Sequence, residues 1–489
     1  MAESLKQKTI SGMLWSGIQR FGTMGIAFIS NIVLARLLSP DDYGCIGMLA
    51  IFITVSNTFV DGGFGSALIQ KKEPTQRDYS TIFWWNLFLS IVIYGILYLG
   101  APYISQFYRI PLLSQVLRVQ GVILIINALN IIQSNQLRKR LNFRKLAVIN
   151  IISQLVGVCV AIVTAWHGWG VWALVAQQIV ASSMTSILLW TLNRWLPDVA
   201  FSMESFKQLF GFGSFILCSN LINTFCNNVQ GLLIGRFFTP AAMGYYTQAR
   251  KLEEVASHSF SNVVDQVSYP ILSKFQSDNV AMQGVLYKLT TALAYVTFPL
   301  MMVLILIAEP LITLLYGDKW LPCVPYFQIL CVAGIAICLQ GTYYYAVASK
   351  GESKELFVWT IIKRSAALAA LVVGMYFWGI NGLLWATAMG SWFILIANAY
   401  LVSKHIGYGV VKQITDLMPI AIISSVTYLA VYLIIANTTI NIYIEAIIAL
   451  SLYILIYVGL SYKLRIRAFS FLMEMMRTYK TKFVSKLIK

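Results

Sequence analysis

Fourteen apolar runs, spaced along nearly the whole chain, constrain this sequence more than any other feature. A helix needs roughly 20 apolar residues to cross about 30 Å of hydrocarbon. The runs cover residues 12–35, 43–68, 81–101, 112–135, 146–166, 170–192, 209–235, 243–268, 287–308, 323–347, 356–377, 380–402, 417–436 and 441–462. Charged residues make up only 11% of the 489 positions. The chain is therefore predicted to be an all-α polytopic membrane protein with about 14 transmembrane helices.

The positive charges fall unevenly on the two sides of the predicted membrane. The chain holds 36 lysines and arginines against 19 acidic residues, a formal net charge of +17. Loops after the even-numbered runs, together with both termini, carry most of these cations, whereas the opposite loops carry only Arg36, Arg109, Arg236 and Lys319. Lysine and arginine accumulate on the cytoplasmic side of membrane proteins. The distribution therefore predicts that both termini lie in the cytoplasm, and it favours topology over nucleic-acid binding as its explanation.

The signatures of common cofactor and catalytic sites are missing from the sequence. The seven cysteines form no CxxC pair and the three histidines lie far apart, so no metal site is predicted. No GxxxxGK[ST] loop for nucleotide phosphates occurs. A membrane polymerase or glycosyltransferase would need a long extramembrane loop or a compact acidic motif, but the longest exterior loop runs only from Glu309 to Pro322. We therefore expect a transporter without a cofactor rather than an enzyme.

A short motif recurs at an offset of 200 residues. Residues 36–44 and 236–244 both read R-x-x-[ST]-P-x-x-x-G, at the ends of the first and seventh runs. Because an even number of spans separates the copies, the two halves share one orientation, as in the parallel repeats of several transporters. The sequence thus predicts two six-helix lobes related by a parallel repeat. The N-lobe covers residues 1–200, the C-lobe covers 201–405, and two more spans with a basic cytoplasmic tail cover 406–489.

Polar residues recur at helical spacing inside several predicted spans. In the first span these are Ser16, Arg20, Thr23 and Asn31, and in the seventh they are Asn220, Asn223, Asn227 and Gln230. Polar groups that face lipid are costly, so such stripes indicate a cavity or contacts between helices. We expect a hydrophilic cavity between the lobes, in which Asn220, Asn223 and Asn227 bind substrate.

Four ionisable residues inside the spans are candidate functional groups. An arginine at a helix centre costs roughly 2.5–3.5 kcal/mol on insertion scales, which favours a cavity ligand over a structural role for Arg20. Asp61 either binds a coupling Na⁺ or H⁺ or pairs with Arg20. Arg250 is either a ligand or, like Lys251 beside it, is neutralised along the helix by Glu253 and Glu254. Arg364 either faces the cavity or, like Lys363 beside it, snorkels to the cytoplasm.

Four further segments carry a resemblance to a known family. They are residues 61–70 (DGGFGSALIQ), 136–144 (QLRKRLNFR), 170–175 (GVWALV) and 244–252 (GYYTQARKL). With the repeated motif, they are similar to lipopolysaccharide O-antigen and colanic-acid-type exporters. The chain therefore resembles the polysaccharide transporter branch of the multidrug/oligosaccharidyl-lipid/polysaccharide (MOP) flippase superfamily, over spans one to twelve.

This resemblance implies an inner-membrane flippase for undecaprenyl-pyrophosphate-linked oligosaccharide units of O-antigen or exopolysaccharide. Such proteins move their substrate from the cytoplasmic to the periplasmic leaflet by alternating access. A cationic cavity binds the anionic headgroup, and Arg20, Arg250 and Arg364 are of the residue type that this implies. Asn220, Asn223 and Asn227 suit the sugar hydroxyls of such a substrate, because amide groups both donate and accept hydrogen bonds. We also expect coupling to Na⁺ or H⁺ with Asp61 as the candidate residue, contact with polysaccharide assembly proteins, and binding of anionic membrane lipid by the basic tail.

A MOP-fold exporter of drugs or other small molecules is the nearest alternative. A cationic drug would require an acidic or aromatic cavity. Here arginines are predicted to line the cavity, which favours an anionic substrate.

Overall fold

The computed structural model describes residues 2–436, 441–471 and 473, and these fold into α-helices without a β-strand. The helices are α1 (Ala2–Leu37), α2 (Pro40–Asp61), α3 (Phe64–Gln70), α4 (Gln76–Tyr108), α5 (Leu112–Gln120), α6 (Ile123–Lys139), α7 (Phe143–Trp166), α8 (Val171–Asn193), α9 (Met203–Phe237), α10 (Pro240–Ser273), α11 (Asn279–Leu306), α12 (Ala308–Tyr316), α13 (Val324–Ala348), α14 (Ser353–Ile406), α15 (Val410–Ile435) and α16 (Ile442–Lys463). The predicted all-α class is confirmed. Of the predicted basic tail, residues 463–489, the positions 472 and 474–489 lie outside the described residues.

Most of these helices are suited to a membrane. Eleven helices in the described ranges are long and apolar enough to cross one. The bent helix α9 adds a twelfth when its parts, Met203–Gly211 and Gly213–Phe237, are taken as one span. Helix α14 is counted once although it holds two predicted spans, and α10 does not meet the criterion. The chain is a multi-pass membrane protein, and the number of fourteen spans stays a prediction.

Helix α14 reverses direction in its middle. Trp378 (φ −129°, ψ 16°) and Gly379 (φ 59°, ψ −139°) leave the helical region. On either side of this turn Gly374 and Gly382 face each other, because a Cβ added to either glycine would overlap the carbonyl oxygen of the other. In a straight helix these two residues would be about 12 Å apart. The contact therefore requires two antiparallel arms, which correspond to the predicted spans eleven and twelve.

Contacts divide the chain into two compact units, Met1–Gly244 and Tyr245–Lys489. In the first unit α2 packs on α9 and α6, and α7 packs on α1 and α8. In the second unit α13 packs on α11 and α14, and α15 packs on α11 and α16. Phe64 is fully buried in the first unit and Trp320 in the second. The contacts thus place α9 with the first unit, while the predicted lobe boundaries at residues 200 and 405 stay predictions.

The two copies of the repeated motif pack against each other within the unit Met1–Gly244. A Cβ added to Gly44 would overlap the carbonyl of Pro240, and one added to Gly244 would overlap the carbonyl of Pro40. Each copy therefore makes the same contact with the other. Such reciprocity is the property of a twofold-related contact, and it agrees with the internal repeat.

Each copy of the motif also starts a helix. Ser39 and Asp42 form a capping box at α2, in which Ser39 N donates to Asp42 Oδ2 at 2.9 Å and Asp42 N donates to Ser39 Oγ at 3.2 Å. In the second copy Ala242 N donates to Thr239 Oγ1 at 3.2 Å. These bonds satisfy N–H groups that have no partner inside the helix. The motif therefore sets both the start of each helix and the glycine at which the two helices cross.

Candidate functional site

In the unit Met1–Gly244 a polar pocket of about 270 Å³ lies between the end of α2, α6 and α8. Its lining residues are Asp61, Asn127, Asn130, Ile131, Ser134, Asn135, Arg138, Ser182 and Thr185. One carboxylate, three amides, three hydroxyls and one guanidinium thus surround the same space. Ionisable groups are rare within transmembrane segments and there mark functional sites. The pocket is therefore the first candidate for binding a polar ligand or an ion.

A glycine turn positions Asp61 at this pocket. Asp61 is the last residue of α2, and Gly62 and Gly63 follow it with φ of 59° and 71°. This region of backbone space favours glycine, so the turn ends α2 and starts α3 within two residues. A Cβ added to Gly65 would lie 2.8 Å from Asn135 Nδ2 and 3.3 Å from Asp61 Oδ1. The glycines thus allow the carboxylate and the amide to lie side by side.

Helix α6 supplies most of the pocket's polar lining, and none of its residues was among the sequence-predicted candidates. The contributing residues are Asn127, Asn130, Ile131, Ser134, Asn135 and Arg138. Their spacing of three and four residues defines one face of a helix, which is a signal available in the sequence. Asn127 Nδ2 donates to Asn57 Oδ1 at 3.0 Å, and Asn130 Nδ2 donates to Ser182 O at 3.4 Å. These two bonds connect α6 to α2 and α8.

The structure places Asp61 with Arg138 rather than with Arg20. Both Asp61 and Arg138 line the pocket, whereas Arg20 is exposed on α1 and lies outside its lining. In the described part of the chain no ion pair joins Asp61 to Arg20. Of the two predicted roles for Asp61, the pairing with Arg20 is therefore absent from this conformation. The ion-coupling role stays a prediction.

The predicted substrate-binding residues are distributed over both units. Arg20 on α1 and the three asparagines on α9, which are Asn220, Asn223 and Asn227, are exposed in the unit Met1–Gly244. Arg250 on α10 and the half-buried Arg364 on α14 belong to the unit Tyr245–Lys489. Their roles in binding stay predictions.

Arg250 forms an ion pair along α10. Its Nε lies 2.7 Å from Glu254 Oε1, and its Nη1 donates to Tyr246 Oη at 3.3 Å. Glu254 is thus one of the two carboxylates that were predicted to neutralise Arg250 along the helix. The neighbouring Glu253 is only 4% exposed, and a Cβ added to Gly334 of α13 would approach its Oε1 to 2.5 Å. Its burial depends on a glycine of another helix, so the sequence around Glu253 gave no signal of it.

Next to Arg364, Lys363 is buried inside the second unit. Its side chain is 4% exposed, and Nζ lies 2.5 Å from Asn398 Oδ1 on the other arm of α14. Asn398 Nδ2 in turn donates to the carbonyl of Gln340 on α13 at 3.3 Å. This chain of polar contacts joins both arms of α14 to α13. Lys363 therefore does not snorkel to the surface.

Apolar helices in two units, one of which holds a polar pocket, define the fold of a multi-pass membrane protein. Solved structures of this class resemble the chain. The lipid II flippase MurJ in an inward closed conformation matches with a TM-score of 0.75 at 15% identity, over 92% of this chain and 98% of that chain. An inward-facing MATE multidrug transporter of the MOP superfamily matches with a TM-score of 0.58 at 13% identity, over 84% and 98%. The fold is that of the MOP superfamily.

The family described as polysaccharide biosynthesis protein matches residues 33–325, and the chain belongs to it. The teichuronic acid biosynthesis protein TuaB of Bacillus subtilis is 27% identical over 358 residues, 73% of this chain and 74% of TuaB. The lipopolysaccharide biosynthesis protein WzxC of Escherichia coli is 25% identical over 405 residues, 81% and 80%. The succinoglycan biosynthesis transport protein ExoT of Rhizobium meliloti is 24% identical over 375 residues, 76% of each chain. The predicted resemblance to the polysaccharide transporter branch is confirmed.

Proposed function

We propose that the protein is an inner-membrane flippase for undecaprenyl-pyrophosphate-linked oligosaccharide units of O-antigen or exopolysaccharide. It moves them from the cytoplasmic to the periplasmic leaflet. The family match carries this proposal, because relatives that cover about three quarters of the chain are named for three different polysaccharides and one of those names includes transport. The MOP fold supports alternating access as the mechanism. The protein is accordingly a transporter rather than an enzyme.

In this proposal, arginines bind the anionic part of the substrate and asparagines bind its sugar part. Arg20, Arg250 and Arg364 bind the pyrophosphate, since guanidinium groups form paired hydrogen bonds with phosphate oxygens. Asn220 and its neighbours on α9 bind sugar hydroxyls. Glu254 holds Arg250 at 2.7 Å, so substrate binding there exchanges a carboxylate for a phosphate. Arg20 forms no ion pair in the described part of the chain and needs no such exchange.

Asp61 is the proposed coupling residue. Its pocket holds amide and hydroxyl oxygens beside the carboxylate, and oxygen ligands of this kind suit a hard cation such as Na⁺, while the carboxylate alone accepts H⁺. Arg138 lines the same pocket and brings a positive charge to it. Cation binding at Asp61 therefore changes the balance of charge around Arg138, which gives the ion a means to alter the packing of α6.

Deletion of the gene tests the proposal as a whole. Cells without the protein should accumulate lipid-linked oligosaccharide accessible from the cytoplasmic side and should lose surface polysaccharide. The wild-type chain should restore export, and Arg20→Ala should not, at equal protein level. Arg109→Ala removes an exposed arginine at the end of α4 and serves as the control. Failure of any lipid-linked species to accumulate would reject a flippase, and altered drug resistance with normal polysaccharide would favour a small-molecule exporter.

Reconstitution in vesicles tests the coupling. Flipping of a lipid-linked oligosaccharide should respond to a Na⁺ gradient or to a pH gradient, and comparing the two identifies the ion. Asp61→Asn should abolish that response while substrate binding persists. Asp41→Asn, the same change at an exposed carboxylate outside the pocket lining, should keep it. If Asp61→Asn retains the gradient dependence, Asp61 is not the coupling residue.

A further inference from the structure

A second cavity, of about 600 Å³, opens in the unit Tyr245–Lys489 between α11, α15 and the segment that follows α16. Helix α15 contributes an apolar wall that includes Met418, Pro419 and Ile422. Met418 and Ile422 are each about half exposed. The volume lies in the range of small-ligand sites, about 300–1,000 Å³. The cavity therefore combines ligand-sized space with an apolar surface open to the surroundings.

The opposite wall of this cavity is basic. Arg465 and Arg467 line it, and both side chains are exposed. Of the described lining residues Asp416 is acidic, and its Oδ2 already accepts a hydrogen bond from Tyr408 Oη at 2.6 Å. Lys288 on α11 lies over the ring of Phe471 at 5.8 Å, next to the lining residue Tyr287. The rim of the cavity on this side is consequently positive, and the carboxylate of Asp416 already has one hydrogen-bond donor.

The backbone at Arg465 sets the direction of the chain after α16. Arg465 N donates to Tyr462 O at 3.2 Å and Ile466 N donates to Ser461 O at 3.1 Å, which closes the helix. Arg465 has φ of 51°, the left-handed position that glycine usually occupies at a helix end. Arg194 has nearly the same φ, 50°, at the end of α8. An arginine at such a position also interacts favourably with the helix dipole, so only the cavity distinguishes Arg465 from Arg194.

We propose that this cavity binds an anionic phospholipid of the surrounding membrane. The guanidinium groups of Arg465 and Arg467 bind its phosphate in the forked geometry that suits arginine. The apolar wall of α15 packs against the glycerol and the first methylenes of the acyl chains. Basic pockets between transmembrane helices on the cytoplasmic side bind anionic headgroups in this way, and the charge distribution predicts that α16 ends on that side.

Charge and polarity favour a lipid over two other occupants. A soluble phosphate would use the arginines but would leave the apolar wall exposed. The sequence after residue 473 carries Arg477, Lys480, Lys482, Lys486 and Lys489, and it would bring positive charge to a rim that is already positive. An anionic phospholipid complements both walls at once.

Lipid titration of the full-length protein tests this site. The protein is purified in neutral detergent, stripped of lipid, and titrated with phosphatidylglycerol or phosphatidylcholine of the same acyl chains, with binding followed by native mass spectrometry. Phosphatidylglycerol should bind at least about tenfold more tightly than phosphatidylcholine. Arg465→Gly with Arg467→Gln should bring the two affinities to about the same value. The glycine suits the backbone at 465, so this variant should unfold at the wild-type temperature or above. Arg194→Gly makes the same backbone change away from the cavity and should leave the affinity within about twofold.

Three results would overturn the proposal. The first is equal affinity for the two lipids. The second is an unchanged preference in the double variant that unfolds at the wild-type temperature. The third is full competition by inorganic phosphate, which would show a soluble-anion site instead. Arg465→Lys with Arg467→Lys keeps the charge but not the forked guanidinium, so it should retain a weaker preference for phosphatidylglycerol.

Discussion

Replacing Gly44 by alanine tests the crossing of the two motif copies. The added methyl would overlap the carbonyl of Pro240, which belongs to the backbone and cannot rotate away as a side chain does. Overpacking of this kind costs about 1–3 kcal/mol. Alanine gains about 0.5–1 kcal/mol over glycine in a helix. A collision with the backbone should cost close to the upper end of that range. After the helix gain of alanine is subtracted, we expect the free energy of unfolding to fall by about 2 kcal/mol.

Thermal unfolding of the purified chain in detergent measures this loss. For a unit of about 150–250 residues each kcal/mol lowers the midpoint by about 2–4 °C, so Gly44→Ala should lower it by about 4–8 °C. Gly244→Ala should give a similar shift, because the contact is reciprocal. Gly95 of α4 has nothing within 4 Å of an added Cβ. Gly95→Ala is therefore the control and should raise the midpoint slightly.

The double variant makes the test stricter. When α2 and α10 separate to accommodate one methyl group, a second methyl group should fit at little further cost. The double variant Gly44→Ala with Gly244→Ala should therefore be destabilised by less than the sum of the two single changes. Additive losses would show two independent contacts rather than one crossing. A Gly44→Ala protein as stable as Gly95→Ala would refute the close approach itself.

Three further changes are expected to lower the thermal midpoint. Lys363→Met leaves Asn398 Oδ1 without its donor and should cost about 1–3 kcal/mol, while adding Asn398→Leu should recover most of the loss. Gly379→Ala forces a side chain into a backbone region (φ 59°, ψ −139°) that is nearly restricted to glycine, and it should cost about 1–3 kcal/mol. Asp78→Asn removes the charge of a side chain that is 1% exposed and lies 2.9 Å from Lys71 Nζ, and it should cost about 1.5–3 kcal/mol.

Each of these changes has an outcome that contradicts its reasoning. A double variant at 363 and 398 that is no more stable than the single change would mean that the lysine acts through other contacts. A Gly379→Ala protein with the wild-type thermal midpoint would show that the turn of α14 can relax into a conformation that alanine adopts easily. An asparagine at 78 without loss would mean that the ion pair with Lys71 contributes nothing beyond its neutral hydrogen bonds.

The features that the sequence predicted are those that depend on nearby residues. A membrane requires long apolar runs, so the class and most helices could be read directly from the order of residues. The weakly apolar eighth run, residues 243–268, lies within the single helix α10. Neutralisation of Arg250 by a carboxylate of its own helix could also be predicted from the sequence, and the structure selects Glu254, which lies on the same helix face. The motif at residues 36–44 and 236–244 predicted the repeat because its two copies are 200 residues apart, at the ends of the first and seventh runs.

The features that the sequence did not predict depend on which helices face each other. Asp61 was singled out, but its neighbours Asn135 and Arg138 come from α6, and no periodicity identifies the partner of a given helix. The burial of Glu253 likewise follows from Gly334 on α13. The polar face of α6 was visible as spacing. The spacing alone does not show that this face lines a pocket, because the pocket also requires α2 and α8.

The crossing of Pro40 and Gly44 with Pro240 and Gly244 has a consequence for the ancestry of the chain. A surface that binds its own copy through matching contacts is self-complementary, and a half-length chain that carried one copy would present the same surface to a second identical chain. Twofold homodimers are built from such surfaces. The crossing therefore preserves, inside one polypeptide, the kind of interface by which two separate half-length proteins would have assembled before their genes were fused.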